Sequence, residues 1–318
     1  MIKKKVKDPT VIFIMGPTAS GKTELVMALR QKLPVEIISV DSVLIYKGMD
    51  IGSAKPTKEE QMLAPHRLID IVEPTQLYSV SDFRRDALLE IQKIIALGRI
   101  PLCVGGAMFY FKILLYGLSP LPPANMKIRK EITAQAKLLG WQAMYERLKK
   151  IDPVSATRIH PHDYQRLSRA LEVFLISGKS FTELQKIRAT ELPYNVLQFA
   201  LVLENRVILN KRIKDRFFKM LNLGFEDEVR FLCKNNELCK NLPALRSVGY
   251  YEMWLYLSGK IEYNEMIHRS ISATRQLAKN QITWLKKWKN LHIVESNDVH
   301  RALNKILNVI HKYSIYEK

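Results

Sequence analysis

The feature that most constrains this chain is a glycine-containing loop placed between an apolar run and a helical pattern. The loop consists of Gly16, Pro17, Thr18, Ala19, Ser20, Gly21, Lys22 and Thr23, which match G-x-x-x-x-G-K-[S/T] at every position. Val11–Met15 before it has the composition of a buried strand, and apolar residues recur at helical spacing through Thr23–Leu33 after it. A strand, a glycine loop and a helix in this order predict an anion site on an α/β sheet.

Each part of the loop has a chemical task in phosphate binding. The glycines allow backbone N–H groups to point at phosphate oxygens, Lys22 adds a positive charge, and the Thr23 hydroxyl is a ligand for Mg²⁺. The motif does not specify which phosphates bind. ATP, another nucleotide or an isoprenoid diphosphate would each satisfy it.

The order of elements predicts the fold class. Further strand-like runs at Val35–Val40, Ile100–Val104, Val196–Leu203 and His292–Val294 alternate with helical patterns, which is typical of a parallel sheet. Three prolines within Ser119–Pro123 are followed by helical patterns alone to about Ala189. We therefore predict an α/β fold with a P-loop NTPase-like parallel sheet core flanked by helices, formed by 1–120 and 195–318, and an all-helical insertion domain at 121–194.

Charge narrows the class of partner. Lys and Arg number 50 against 31 Asp and Glu, a net charge of +19, which attracts polyanions, nucleic acid before membrane surfaces. No run approaches the about 20 apolar residues of a membrane span, and Val11–Met15 is too short for the core of a signal peptide. The three cysteines form no Cys-x-x-Cys pair and so encode no zinc knuckle. We expect a cytoplasmic protein, a monomer without membrane attachment.

One carboxylate, Asp41, follows the second predicted strand. Ligands of open α/β sheets bind at this edge of the sheet. Three interpretations stay open on spacing alone: Asp41 holds Mg²⁺ through water, acts as a general base, or caps the following segment Ser42–Tyr46.

The most basic segment is a long predicted helix from about Asn264 to Lys289. Arg275, Lys279, Lys286 and Lys289 fall on one stripe of it, with amide side chains nearby, a pattern that suits RNA phosphates and base edges. Trp284 and Trp288 fit either core anchors or stacking platforms. Arg166 and Arg169 share a face of a second predicted helix, Gln165–Ser177, which also fits a solvated surface. The segment Arg246–Tyr251 combines an arginine, a glycine and two aromatic residues, as a site for a splayed RNA base would.

Taken together, these motifs resemble the bacterial tRNA dimethylallyltransferase family. The resemblance rests on Gly16–Thr23, Asp41–Leu44, Gly48–Pro56, Gln165–Arg169 and Lys279–Lys286, and extends from about residue 11 to about residue 296. It implies transfer of a dimethylallyl group from dimethylallyl diphosphate to the exocyclic amine of the adenosine 3′ of the anticodon in tRNA. It further implies Asp41 as general base, Lys22 and the rest of the loop as the diphosphate cradle, and Mg²⁺ bridging Thr23 and the diphosphate.

The resemblance also implies a set of tRNA contacts in both predicted domains, with the insertion domain gripping the anticodon stem-loop. These residues are Asp41, Ser42, Val43, Leu44, Ala107, Arg129, Gln165, Arg166, Leu167, Ser168, Arg169, Arg246, Ser247, Val248, Gly249, Tyr250, Tyr251, Lys279, Asn280, Gln281, Ile282, Thr283, Trp284, Leu285 and Lys286.

This chain departs from the family pattern at three positions. Ala107 stands where a threonine is usual, so no hydroxyl is available there, and Tyr251 and Asn280 replace residues that are commonly basic. Two other function classes remain as alternatives, a small-molecule kinase using ATP in the same loop and an ATP-dependent RNA-binding protein.

Overall fold

The fold was determined from a computed structural model that describes residues 9–187, 189–234 and 244–313. The chain separates into two compact units, Met1–Leu114 with Pro193–Lys318 (unit 1) and Leu115–Leu192 (unit 2). Both boundaries precede those expected from the sequence, 120/121 and 194/195. The prolines of Ser119–Pro123 therefore lie inside unit 2 and do not mark its edge.

The described elements alternate as an α/β protein does until the helical unit interrupts them. In chain order they are β1 (Thr10–Met15), α1 (Lys22–Lys32), β2 (Val35–Val40), α2 (Lys58–Leu63), β3 (His66–Arg67), α3 (Val80–Ala96), β4 (Ile100–Gly105), α4 (Met108–Tyr116), α5 (Met126–Leu139), α6 (Trp141–Ile151), α7 (Pro153–Arg158), α8 (Tyr164–Ser177), α9 (Phe181–Lys186), β5 (Asn195–Val202), α10 (Arg206–Asn222), α11 (Phe225–Leu232), α12 (Tyr250–Leu257), α13 (Tyr263–Lys286), β6 (His292–Glu295) and α14 (Val299–Lys312).

Unit 1 is built on a six-stranded sheet in the order β3-β2-β4-β1-β5-β6, with every pair of neighbours parallel. Residues 11–15 of β1 are fully buried, since helices cover both faces of the strand. Because the strands are parallel, β1, β2 and β4 end at one edge of the sheet. That edge carries the loop Gly16–Thr23, Asp41 and the turn that begins at Gly105.

Two hydrophobic clusters hold this edge in place. One packs α1 and α14 against the sheet through Leu29, Phe199 and Ile306, and the other joins α10, α11, α12 and α13 around Phe225 and Tyr250. Burial of each such side chain stabilises the fold by about 1.5–3 kcal/mol. The elements that surround the glycine loop are therefore brought together by packing.

Several local predictions needed correction. From the sequence, Ser81 is the expected N-cap of α3, but the N-cap is Ser79, two residues earlier, because Ser79 and Asp82 form a capping box in which each accepts the other's backbone N–H. Helix α13 ends at Lys286 rather than Lys289. Strand β3 and helix α2 are too short to leave a periodic pattern and were not predicted.

Unit 2 consists of five described helices, α5 to α9, around a core of its own. Ile132, Met144, Leu148, Leu167 and Leu171 form the centre of this core. Within the described part of the chain, no helix combines the length and the apolar character that a membrane crossing requires.

Candidate functional site

A cavity of about 310 Å³ opens at the carboxyl edge of the sheet in unit 1. Its wall includes the glycine loop, Asp41 with the residues after it, the turn after β4, and side chains from α10 and α13. The volume lies at the lower end of the range found for small-molecule pockets. Here it is called the loop cavity.

The glycine loop has the geometry of an anion cradle. Ala19 and Gly21 adopt left-handed backbone angles, with φ of 61° and 86°, which turn successive N–H groups toward the same side. Helix α1 starts directly at Lys22, so its positive end adds to the cradle. A non-glycine residue held at positive φ, as Ala19 is, is a form of backbone strain that often marks a functional site.

Lys22 is folded back over the loop. Its Nζ donates to the carbonyl oxygens of Gly16 at 2.9 Å and Pro17 at 2.7 Å. Burial, together with the nearby positive charge of Arg216, lowers the pKa of Lys22 to about 8, while Asp41 acts in the opposite direction. A phosphate beside this ammonium group would stabilise its charged form.

Asp41 lies at the end of β2 and lines the loop cavity. Its Oδ1 accepts hydrogen bonds from the backbone N–H groups of Val43 at 2.8 Å and Leu44 at 3.4 Å. The capping interpretation is therefore correct for this oxygen. Among the described residues nothing donates to Oδ2, so the second oxygen remains available to a substrate, and the other two interpretations stay open.

Arg216 on α10 is a wall residue that sequence reasoning missed. It is half-buried and lines the loop cavity, and burial lowers the pKa of its guanidinium while the charge of Asp41 raises it. Lys22 and Arg216 thus add two positive charges to the cavity that contains the loop. The helical pattern of Asn205–Leu223 contains several basic residues, and only the packing of α10 distinguishes Arg216 from them.

The segment Gly48–Pro56 forms part of the wall of the loop cavity, and hydrogen bonds and ion pairs with other residues hold it in place. The carboxylate of Glu228 accepts the N–H groups of Asp50, Ile51 and Gly52 at 2.9, 2.6 and 3.1 Å, and the hydroxyl of Tyr250 at 2.6 Å. Lys55 is buried and forms ion pairs with Asp50 and Asp70. These contacts give the segment a structural task, which is to shape one side of the loop cavity.

The turn after β4 closes the other side. Gly105 has to be glycine, since a Cβ atom there would lie 1.9 Å from the carbonyl oxygen of Val40. Ala107 lines the cavity and donates its N–H to the same carbonyl oxygen at 3.3 Å. Gln281, from α13, bridges this turn and the glycine loop: its Oε1 accepts from Thr18 N at 2.9 Å and its Nε2 donates to Gly106 O at 3.0 Å.

Helix α13 carries the basic stripe that the sequence indicated. Arg275, Lys279 and Lys286 are exposed, and none of them has a carboxylate partner in the described ranges of the chain. Together with Arg206 and Asn210 of α10 they line a groove of about 350 Å³ that contains no acidic side chain. Arg206 was not predicted, because nothing in its local sequence separates it from an ordinary surface arginine.

The two tryptophans of this region have different surroundings. Trp288 Nε1 donates to Gln198 Oε1 at 2.7 Å, which makes it a structural anchor. Trp284 is 39% exposed, with its ring centroid 6.5 Å from that of Phe109. Of the pair, Trp284 is the more exposed, since Trp288 is half-buried.

Three residues of the predicted tRNA contacts have side chains in the core. Leu167, Tyr250 and Leu285 are 0%, 0% and 4% exposed, so any contact of theirs with RNA would be made by the backbone and not by the side chain. They occur in those ranges because a helix that presents one face outward packs the other. Gln281 is 9% exposed and its amide is engaged at both ends.

The remaining predicted contacts are accessible to different degrees. In unit 1, Arg246 and Tyr251 are exposed, Ser247 and Val248 are half-buried, and Gly249 is buried with its N–H bonded to Glu252 at 2.7 Å. Ser42, Asn280 and Thr283 are exposed, and Val43, Leu44 and Ile282 are half-buried.

In unit 2, two predicted arginines converge on one buried carboxylate. Glu172 is fully buried and receives Arg129 Nε at 2.9 Å, Arg169 Nη1 at 2.6 Å and the backbone N–H of Asn125 at 2.7 Å. Burial alone would raise the pKa of Glu172, but the hydrogen bonds from Arg129 and Arg169 lower it below its ordinary value. Gln165 and Arg166 are exposed, and Ser168 is half-buried.

The loop cavity fits a metal ion held jointly with a phosphate ligand. No cluster of three or more His, Cys, Asp or Glu side chains able to hold a metal ion occurs among the residues described. The Thr23 hydroxyl is exposed at the cavity, and the hydroxyls of Ser20 and Ser39, which also line it, are buried without hydrogen-bond partners. Hydroxyl groups without a full carboxylate set suit Mg²⁺, which usually takes its other ligands from water and substrate phosphates.

Two family models match the chain. The model described as IPP transferase matches residues 44–288, and the model described as isopentenyl transferase matches residues 9–69.

Solved structures give a consistent result. The full-length tRNA isopentenylpyrophosphate transferase of Bacillus halodurans is 34% identical, with a TM-score of 0.71 and coverage of 96% of each chain. The tRNA delta(2)-isopentenylpyrophosphate transferase of Staphylococcus epidermidis is 32% identical, with a TM-score of 0.70, 96% of this chain covered and 100% of that one. A eukaryotic dimethylallyltransferase acting on tRNA is 27% identical, with a TM-score of 0.81, 96% of this chain covered and 79% of that one.

Proposed function

This chain belongs to the IPP transferase family, and from that membership we propose that it transfers a dimethylallyl group from dimethylallyl diphosphate to tRNA. The acceptor is the exocyclic amine of the adenosine 3′ of the anticodon, and diphosphate is released. The observation that carries the proposal is that one cavity contains both a diphosphate cradle and a carboxylate, and shares its wall with the basic helix α13.

The cradle acts on the leaving group. As the bond between the allylic carbon and the diphosphate oxygen breaks, negative charge grows on the diphosphate. The N–H groups of the glycine loop, Lys22 and Arg216 stabilise that charge. The rearrangement needed is that Lys22 Nζ turns away from the carbonyl oxygens of Gly16 and Pro17. The loop therefore holds a group that leaves, whereas in a kinase it would hold a phosphate that is transferred.

The carboxylate acts on the nucleophile. An adenine amine is a weak nucleophile, so it needs both positioning and a proton acceptor. Asp41 Oδ2 takes the proton as the nitrogen–carbon bond forms, while Oδ1 stays bonded to Val43 and Leu44 and fixes the carboxylate plane. To reach the cavity the base leaves its stack, at a cost of a few kcal/mol.

Mg²⁺ is the metal that these residues fit, and we propose that Thr23 holds it together with the diphosphate. When bound, the ion would neutralise charge on the leaving group. Ser20 and Ser39 contribute hydroxyls to the same cavity.

We propose that RNA is bound by the exposed basic face of α13 and the groove between α10 and α13, by Arg246 and Tyr251, and by the exposed residues of unit 2. The groove contains four cations and no acid, which suits a phosphodiester backbone. We further propose a monomeric, cytoplasmic enzyme; the molar mass from light scattering tests the first statement.

The transfer assay tests the main proposal. Dimethylallyl diphosphate labelled in the allylic carbon is incubated with unmodified tRNA, Mg²⁺ and the protein. Label should enter the RNA, and nuclease digestion should locate it on the adenosine next to the anticodon. Folded protein that transfers no label refutes the proposal.

The same experiment separates the two alternatives. A kinase would transfer label from the γ-phosphate of ATP to a small molecule. An ATP-dependent RNA-binding protein would bind tRNA in an ATP-sensitive manner and transfer nothing.

A further inference from the structure

Gln281 joins the RNA-binding helix to the diphosphate loop through a single side chain. Its Oε1 accepts the N–H of Thr18 at 2.9 Å, and its Nε2 donates to the carbonyl oxygen of Gly106 at 3.0 Å. Thr18 and Gln281 are 263 positions apart in the chain. One amide thus connects α13, the glycine loop and the turn after β4.

The surroundings of this amide are built for it. Gln281 is only 9% exposed. A Cβ atom on Gly106 would lie 2.5 Å from Gln281 Nε2, so the absence of a side chain at residue 106 is what admits the amide. A buried amide with both ends engaged fixes the groups that it contacts, because an unmet partner would carry a desolvation cost.

The opposite face of the same helix is the RNA face. At about 100° per residue, Lys279 lies about 160° around α13 from Gln281, and Lys286 about 140°. Both lysines are exposed and line the groove shared with α10, and neither has a carboxylate partner in the part of the chain that the structure describes. Helix α13 is a continuous segment from Tyr263 to Lys286, so a displacement of its outward face moves Gln281 as well.

We propose that Gln281 is a positioning residue that couples tRNA binding on α13 to diphosphate binding in the glycine loop. The inference rests on the proposed function. Binding of RNA fixes α13, Gln281 then fixes Thr18 and Gly106, and two walls of the loop cavity take the spacing that diphosphate requires. Coupling of this kind is reciprocal, so diphosphate tightens tRNA binding by the same factor.

This assignment differs from a direct role in reading RNA. A base-reading Gln281 would lower tRNA affinity when substituted, with or without diphosphate. A positioning Gln281 affects tRNA affinity only when diphosphate is present. The two assignments therefore predict different ratios between the tRNA dissociation constants measured without and with diphosphate.

The experiment measures the dissociation constant of unmodified tRNA with and without saturating inorganic diphosphate and Mg²⁺. For the wild type we expect diphosphate to tighten tRNA binding by about tenfold, within the usual range of coupling between sites. Gln281→Met keeps the shape and loses both hydrogen bonds; it should leave the affinity for tRNA alone within about twofold and reduce the ratio to about one. The control is Gln92→Leu, at an exposed glutamine of α3, which should keep the wild-type ratio.

Gln281→Glu provides a second variant of nearly the same shape. It can still accept from Thr18, but its carboxylate cannot donate to Gly106, so its ratio should also fall toward one. If Gln281→Met folds poorly, this variant decides the matter.

Several outcomes overturn the inference. They are a wild-type ratio of one, a variant that keeps the wild-type ratio, and a variant that loses affinity for tRNA alone. A lower melting temperature with an unchanged ratio means a purely structural role and also overturns it. The wild-type transfer assay is run in parallel: if no label is transferred, the proposed function fails, whereas transfer with an unchanged ratio refutes only the role of Gln281.

Discussion

Substitution of Asp41 by asparagine separates chemistry from structure at the loop cavity. The structure assigns the two carboxylate oxygens different tasks, since Oδ1 accepts from Val43 and Leu44 while Oδ2 has no partner among the described residues. An asparagine carbonyl can keep the Oδ1 contacts. Its amide nitrogen cannot take a proton from the substrate amine, so Asp41→Asn removes the base and leaves the turn intact.

The expected magnitudes follow from those contacts. Loss of a general base lowers the rate of transfer by about 10²–10⁴-fold. Asp41→Ala should have the same rate defect and should also lose both hydrogen bonds to the backbone, at about 1 kcal/mol, comparable to loss of a cap. For a chain of 318 residues, at about 2.1 cal/mol/K of unfolding entropy per residue, that corresponds to about 1.5 °C in melting temperature. Asp41→Asn should leave the melting temperature close to that of the wild type.

The assay is single-turnover transfer of labelled dimethylallyl to unmodified tRNA with enzyme in excess, together with thermal unfolding of each variant. The matched control is Asp298→Asn, because Asp298 Oδ1 also accepts two backbone N–H groups, from His300 at 2.8 Å and Arg301 at 3.2 Å, but lies outside the cavity. A rate for Asp41→Asn within about threefold of the wild type would refute a general base, which contributes far more than that. A defect that excess Mg²⁺ repairs would instead favour the metal interpretation.

Three further results are expected. Arg216→Gln should weaken binding of inorganic diphosphate, measured calorimetrically, and lower kcat by about 10²-fold, as loss of one preorganised donor does; unchanged diphosphate affinity would remove Arg216 from the cradle. The double variant Arg206→Gln, Arg275→Gln should reduce the slope of log affinity for tRNA against log salt by about two units, one for each phosphate contact that is lost. The control Arg301→Gln, on α14 outside the groove, should leave this slope unchanged. Glu172→Gln should destabilise unit 2 by about 2 kcal/mol. This is less than the cost of breaking a fully buried ion pair, because Arg129 and Arg169 are 40% and 27% exposed. The folded-state pKa of Glu172 lies below its ordinary value of 4.5. The contribution of ionised Glu172 to the stability of unit 2 is therefore complete above pH 4.5 and is lost as the pH falls through the lowered folded-state pKa. Hydrogen exchange of α5 and α8 from pH 7 to 3 measures this loss.

The parts of the molecule that the sequence determined are those whose signal is local. Buried parallel strands are mostly apolar, so β1, β2, β4 and β5 could be located from composition, although β2 contains Glu36 and Ser39 and β5 contains Gln198. The glycine loop requires a fixed spacing of glycines, Lys22 and Thr23, and its position between a strand and a helix predicted both its shape and its chemistry. Asp41 was found because every parallel strand ends at the same edge of the sheet.

Local signals also misled in places. The prolines of Ser119–Pro123 resemble a boundary, but the contacts of the folded chain divide it at Leu114 and Leu192. Motif ranges treat consecutive residues alike, although a helix buries one face. The ranges predicted to contact RNA therefore include Leu167, Tyr250 and Leu285, whose side chains belong to the core.

Only the tertiary structure decided which distant residues complete the loop cavity. Arg216 has no local pattern that separates it from the other arginines of α10. The motif Lys279–Lys286 includes Gln281 but indicates contact with RNA, not with the glycine loop. Their roles arise because α10 and α13 pack together around Phe217, Ile213 and Ala278 and bring one side chain from each to the edge of the sheet. The sequence therefore determined the cradle, which is made of backbone. The charges and amides around it depend on long-range packing of side chains, which no short stretch of sequence encodes.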